Sequence, residues 1–149
     1  MSSRQRTRQL LSMDKKQNRS NLHMKADSIL VSVVDDDESV RESLPALLKE
    51  LGFASKTFAS AKKFLDSGIA DRTHCLILDV SMPGMSGPEL RRELGARGYA
   101  IPIIFISAHA EFSSQPDVRE GALAYLVKPF SDVALLESLR TALKLQSPE

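Results

Sequence analysis

The sequence predicts an α/β protein built on a doubly wound, five-stranded parallel sheet. Three observations carry that expectation. From Ser28 onward, short apolar runs alternate with helical patterns, as in repeated βα units. The run "ILVSVV" is rich in the β-branched residues of a strand buried on both faces. It then meets the acidic block Asp35, Asp36, Asp37 and Glu38, and such a charge cluster belongs at a strand end rather than inside a sheet.

Five strands are expected, at Ile29 to Val34, Ala54 to Phe58, Cys75 to Leu78, Ile103 to Ile106 and Ala124 to Val127. Between the first two, Val40, Leu44, Leu47, Leu48 and Leu51 recur at three- and four-residue spacing, and Gly52 closes the helix they mark. Pro45 lies inside it and should bend it without ending it, because the apolar pattern continues to Leu51. A short helix is expected near Ala61 to Leu65. Ser86 can cap the next one, with Pro88 in its first turn and Leu90 and Leu94 facing inward. Between the fourth and fifth strands, "AEFSSQPDVREGA" contains Pro116 and little apolar periodicity, so its helix should be short, late-starting and mobile. After Ser131 and Asp132, a stripe of Leu135, Leu136, Leu139, Ala142 and Leu143 marks the last helix.

Length and composition bound the functional classes. The 149 residues, 42% hydrophobic and 26% charged, fit one globular domain plus a tail. No apolar run approaches the roughly 18 residues of a membrane span, and no secretory signal stands at the N-terminus. A cytoplasmic protein with no membrane contact is expected. The single cysteine, Cys75, excludes an internal disulfide framework or a thiolate metal cluster and reads as a buried small residue. Residues 1–27 carry a net +5 and the rest a net −4. That basic stretch reads as a disordered tail before a domain at 28–145, with 146–149 as a short C-terminal tail. Contact with nucleic acid is not expected, since no aromatic interleaving accompanies the basic residues. Met13 and Met24 offer later starts, so translation of residues 1–23 is open.

In a parallel sheet with right-handed crossovers, every strand ends at the same edge, and ligands bind there. The expected ends carry Asp35 and Asp36, Asp79, Ser107 and Lys128. Two unpaired carboxylates about 4 Å apart repel by roughly 4 kcal/mol at an effective dielectric of about 20. A cation is therefore needed, and a few hard oxygen ligands with room for water and phosphate favour Mg²⁺.

The stretches "VVDDDESVRESL", "LILDVSMPGMSG", "IIFISAH" and "YLVKPF" carry a resemblance. Across about residues 28 to 145 the chain resembles the receiver domain of a bacterial two-component response regulator, most nearly those attached to helix-turn-helix (FixJ/NarL-like) regulators. The resemblance implies the flavodoxin-like fold with strand order 2-1-3-4-5. It implies a signalling protein that catalyses only its own phosphorylation and slow dephosphorylation, with Mg²⁺ as cofactor. By position, Asp79 matches the phosphoacceptor. Asp36 matches the main metal-ligating acid, with Asp35 beside it, and Ser81 the residue offering its backbone carbonyl to the metal. Ser107 matches the switch hydroxyl, Lys128 the amine that pairs with the phosphoryl group, and Tyr125 the aromatic switch. A cis Lys128 to Pro129 bond is also implied. The implied partners are a sensor histidine kinase or phosphotransfer protein, with a homodimer through the fourth helix, fifth strand and fifth helix.

Competing readings stay open at this point. The acids from Asp35 to Glu38 could simply cap the first helix, and Asp37 and Glu38 suit that role. His109 could stand at the mouth of the site or be a polar loop residue. A phosphatase of the haloacid dehalogenase type also uses an aspartyl nucleophile, but it has an acid where this chain has Ser81. A pseudo-receiver that binds partners without phosphorylation is a further alternative. Only Gln146 to Glu149 follow the last helix, so a stand-alone receiver or an excised fragment is expected.

Overall fold

The computed structural model describes residues 29–146. Its elements follow in the order β1 (Leu30–Val34), α1 (Glu38–Glu50), β2 (Ala54–Phe58), α2 (Ala61–Ser67), a 3₁₀ turn (Ile69–Arg72), β3 (Cys75–Asp79) and α3 (Gly87–Ala96). They continue with β4 (Ile103–Ser107), a second 3₁₀ turn (Ala110–Ser114), α4 (Pro116–Arg119), β5 (Ala124–Val127) and α5 (Asp132–Gln146). The five strands are all parallel, in the order β2-β1-β3-β4-β5. The doubly wound sheet expected from the sequence is present. The basic stretch 1–27 lies outside the described residues. Among the described residues, no helix is long and apolar enough to cross a membrane.

Alternating side chains of the strands feed two separate cores. On one face Val34, Leu76, Leu78 and Phe105 pack with Phe64 of α2, Leu90 and Leu94 of α3 and Val118 of α4. On the other, Val31, Val33, Ile77, Ile104 and Ile106 pack with Leu44 and Leu48 of α1 and Leu135, Leu139 and Ala142 of α5. Every residue of β3 and β4 is buried, whereas the edge strands β2 and β5 are part exposed. Truncating a side chain such as Ile77 to alanine would cost about 2–5 kcal/mol through lost transfer energy and an unfilled cavity. Cys75 is fully buried, and desolvation pushes its thiol up to about 12, so it behaves as core.

Local chemistry sets the helix ends. Ser86 and Glu89 form a reciprocal capping box at the start of α3, with Pro88 in the first turn. Ser60 Oγ accepts from Lys63 N at the start of α2, and Gly68, at φ 74°, ends that helix in the left-handed region. The hydroxyl of Ser131 accepts from Ala134 N at 3.0 Å and starts α5. Helix α1 runs unbroken through Pro45, held on both sides by buried Leu44 and Leu48. The segment between β4 and β5 holds only the 3₁₀ turn and the four-residue α4, short and late-starting as its sequence suggested.

Candidate functional site

Register brings the ends of β1, β3, β4 and β5 to one level. Val34 of β1 lies beside Leu78 of β3, so the next residues, Asp35 and Asp79, come out together. Asp79 lies beside Ile106, which puts Ser107 one step further, and Ser107 lies beside Val127, which does the same for Lys128. Two backbone bonds continue the pairing past the strands, Val80 N to Ile106 O at 3.0 Å and Lys128 N to Ser107 O at 2.8 Å. The sheet itself therefore sets the spacing of the cluster.

Asp35 is fully buried and Asp79 is 4% exposed, while Asp36 is open to solvent. One carboxylate oxygen from each can be chosen so that all three lie within 4.8 Å of one another. The Lys128 ammonium is the counter-charge, 2.8 Å from Asp35 Oδ2 and 3.9 Å from Asp79 Oδ1. Even so, Asp35 Oδ2 has no hydrogen bond of good geometry. One ammonium facing three acids leaves negative charge uncompensated. The cluster, with a buried oxygen short of partners and ligands all of oxygen, fits a hard divalent cation.

Electrostatics mark Asp79 out. Burial first, then the Asp35 charge, push its carboxyl up to about 8, against the opposing pull of Lys128, and contacts with the Asp35 and Asp36 side chains add to the rise. Burial works to lower Lys128. The Asp35 contact and the charges of Asp79, Asp35 and Asp37 outweigh it and hold the ammonium above its ordinary value. Asp37 goes the other way. Hydrogen bonds from the Ser39 hydroxyl and backbone hold its carboxyl below the usual range, and it caps α1 as expected. Glu38 stands in the first turn of the same helix.

Ser107 is buried at the end of β4, and its Oγ accepts from His109 N at 3.0 Å. Tyr125 is half-buried on β5, and its hydroxyl donates to the His109 carbonyl at 2.5 Å. Main-chain atoms of His109 thus meet both Ser107 and Tyr125, while its exposed imidazole lies 3.5 Å from Glu111. Ser81 is exposed in the loop after Asp79. The Lys128–Pro129 bond is cis.

Two supports escape the sequence reading. Gly87 N donates to Val80 O at 2.9 Å, and a Cβ at Gly87 would lie 2.4 Å from the Asp79 carbonyl oxygen. The backbone of α3 therefore passes against the β3 end at a distance only glycine permits. Its signal was the side-chain-free residue between the capping Ser86 and Pro88. Arg41, one turn into α1, donates from Nη1 to the Asp35 carbonyl at 3.0 Å. Nothing in its spacing distinguishes it from a solvated helix residue.

The family profile described as "Response regulator receiver domain" matches residues 31–140. The response regulator protein TmoT of Ectopseudomonas mendocina is 42% identical over 124 residues, covering 83% of this chain and 56% of TmoT. The chain thus spans little more than half the length of that relative. Among solved structures, FixJ-N has a TM-score of 0.71 at 35% identity, covering 81% of this chain and 98% of that one. The response regulator TrrA of Thermotoga maritima, in complex with Mg²⁺–BeF, has a TM-score of 0.70 at 30% identity, covering 77% of this chain and 99% of that one.

Proposed function

The chain belongs to the response regulator receiver family, and on that premise we propose that it accepts a phosphoryl group on Asp79 from a histidine kinase or phosphotransfer protein, in a Mg²⁺-dependent reaction. The observation that carries this reading is the placement of Asp79 at a buried strand end with the Lys128 ammonium 3.9 Å from its carboxylate. Phosphoryl transfer requires an aligned nucleophile and charge neutralisation more than covalent assistance. The Asp79 carboxylate oxygen bonds to phosphorus as the donor's P–N bond breaks, the bonding pair returns to the imidazole nitrogen of the donor, and Asp79 becomes an acyl phosphate. Lys128, already poised against two carboxylates, pairs with the phosphoryl oxygens.

Asp35, Asp36 and Asp79, with the backbone carbonyl of Ser81, would hold the cation. Bound there, Mg²⁺ would supply positive charge that favours the ionised form of Asp79 and offsets negative charge on the transferring group. That TrrA is in complex with Mg²⁺–BeF supports this assignment, as does the gathering of three acids around a single ammonium.

The signal starts at Ser107. A phosphoryl group on Asp79 brings about two negative charges beside β4. The Ser107 hydroxyl, which now accepts from His109 N, turns to donate to the phosphoryl group. That move removes one of the two bonds on the His109 backbone, and Tyr125 holds the other. The loop, Tyr125 and the adjoining α4, β5 and α5 surface change together, and a partner or second copy reads the change. Incubating the protein with Mg²⁺ and acetyl phosphate should add about 80 Da to the intact mass. The adduct should be absent from Asp79→Ala.

A further inference from the structure

Asp36 differs from the other acids of the cluster in how it is held. It is exposed and lies outside any helix or strand, so its direction is set by the two planar peptide groups that flank it. The peptide before it is fixed by Arg41, whose Nη1 donates to the Asp35 carbonyl oxygen at 3.0 Å. The peptide after it is fixed by Asp35 itself, whose Oδ1 accepts from Asp37 N at 2.9 Å. Asp35 is tied in turn to the sheet, its backbone N donating to Phe58 O at 3.1 Å. Arg41 is half-buried on α1, one turn in from the capping Asp37. A cation this near a helix N-terminus gains nothing from the macrodipole. The bond to the Asp35 carbonyl is what occupies it.

Resting on the reading of Asp36 as a Mg²⁺ ligand, we infer that Arg41 is a positioning residue for the metal site: by holding the peptide before Asp36 it presents that exposed carboxylate in one direction, and so sets the affinity for Mg²⁺. A group of this kind lowers the cost of ordering the ligand and leaves the transfer step alone. Its charge works the other way. Removing a positive charge near a dication site favours binding of the dication, whereas freeing the peptide before Asp36 weakens it. The two effects of losing Arg41 therefore oppose each other, and the loss of order is the larger.

Isothermal titration of the full chain with Mg²⁺ at fixed ionic strength reads the affinity without phosphorylation. Arg41→Met should raise the Kd about five- to tenfold. Arg41→Lys keeps the charge and a donor for a contact that is not bidentate, and should stay within about twofold of wild type. With acetyl phosphate as donor, the Mg²⁺ concentration giving half the maximal rate should move with the Kd, and the rate of Arg41→Met at saturating Mg²⁺ should stay within about twofold of wild type. A role confined to folding would lower thermal stability and leave the Kd where it is. If Arg41→Met does not fold, Arg41→Gln, neutral and shorter, reads the same shift. An unchanged or smaller Kd in the neutral variant, or a rate loss that saturating Mg²⁺ does not recover, overturns the inference and leaves the three acids as ligands. Wild-type protein that takes up no Mg²⁺ brings down the reading of Asp36 itself, and this inference with it.

Discussion

The Lys128 ammonium lies 2.8 Å from Oδ2 of Asp35, a residue with no exposed surface. Removing one partner of a buried ion pair costs about 3–5 kcal/mol, because the remaining charge is left in a poorly solvated place. Lys128→Met should therefore lower stability by about 3 kcal/mol in metal-free buffer, where urea unfolding reads it directly. Phosphorylation should slow by more than tenfold in the same variant. A loss below about 1 kcal/mol would mean that water already screens the pair.

Asp79 sets a pH dependence with a definite sign. Its folded carboxyl, at about 8, holds a proton that the unfolded carboxyl releases near 4. The native state therefore binds more protons across that interval, and metal-free stability falls as pH rises toward 8. Asp37 is shifted down and Lys128 up, so their own titrations fall outside this window. Between pH 5.5 and 8.5 without metal, wild-type protein should lose roughly 1–3 kcal/mol relative to Asp79→Asn, followed by calorimetry. At pH 8.5 the variant should be the more stable protein.

Metal binding should reverse that loss. Three acids within reach of one ion gain a shared counter-charge, and a ligand at 100 times its Kd stabilises by about 2.7 kcal/mol. Added Mg²⁺ should raise the melting temperature, more at pH 8 than at pH 6, since the ligands must be ionised. Asp36 is exposed, so Asp36→Ala should cost under about 0.5 kcal/mol in metal-free buffer. The Mg²⁺ effect on melting should largely vanish with it.

Gly87 carries a steric prediction. The added methyl of Gly87→Ala would come within 2.4 Å of the Asp79 carbonyl oxygen, and a rigid strand end cannot yield that far without cost. Overpacking of this kind destabilises by about 1–3 kcal/mol. Phosphorylation should slow as well, because Asp79 is displaced. Gly95→Ala, at a helical position with open space around it, should leave phosphorylation unchanged and raise stability by about 0.5–1 kcal/mol.

Most of the fold is legible because burial on both faces leaves so strong a trace. The runs around Val33, Ile77 and Ile104 are apolar in nearly every residue, and their spacing implies the crossovers. The strand ends shift by a single residue. β3 extends to Asp79 and β4 to Ser107, since backbone pairing continues after the apolar side chains stop. The meeting of Asp35, Asp79, Ser107 and Lys128 at one sheet edge was legible for the same reason, these residues being whatever follows each buried run. Less legible are groups whose role is to support a backbone atom. The Arg41 contact to the Asp35 carbonyl and the close pass of Gly87 depend on how elements pack, which no local pattern encodes. The 3₁₀ turn at Ala110–Ser114 is equally silent, because it has no buried residue of its own.

The central proposal is that Asp79 is the phosphorylated carboxylate and that its modification needs the neighbouring acids to hold Mg²⁺. Reduction of the phosphorylated protein with borohydride converts an aspartyl phosphate to homoserine, and peptide sequencing by mass spectrometry then locates it. The expected result is homoserine at position 79, formed after incubation with acetyl phosphate and Mg²⁺ and lost when EDTA replaces the metal. Homoserine at position 35 or 36 instead, or at none of the three, would contradict it.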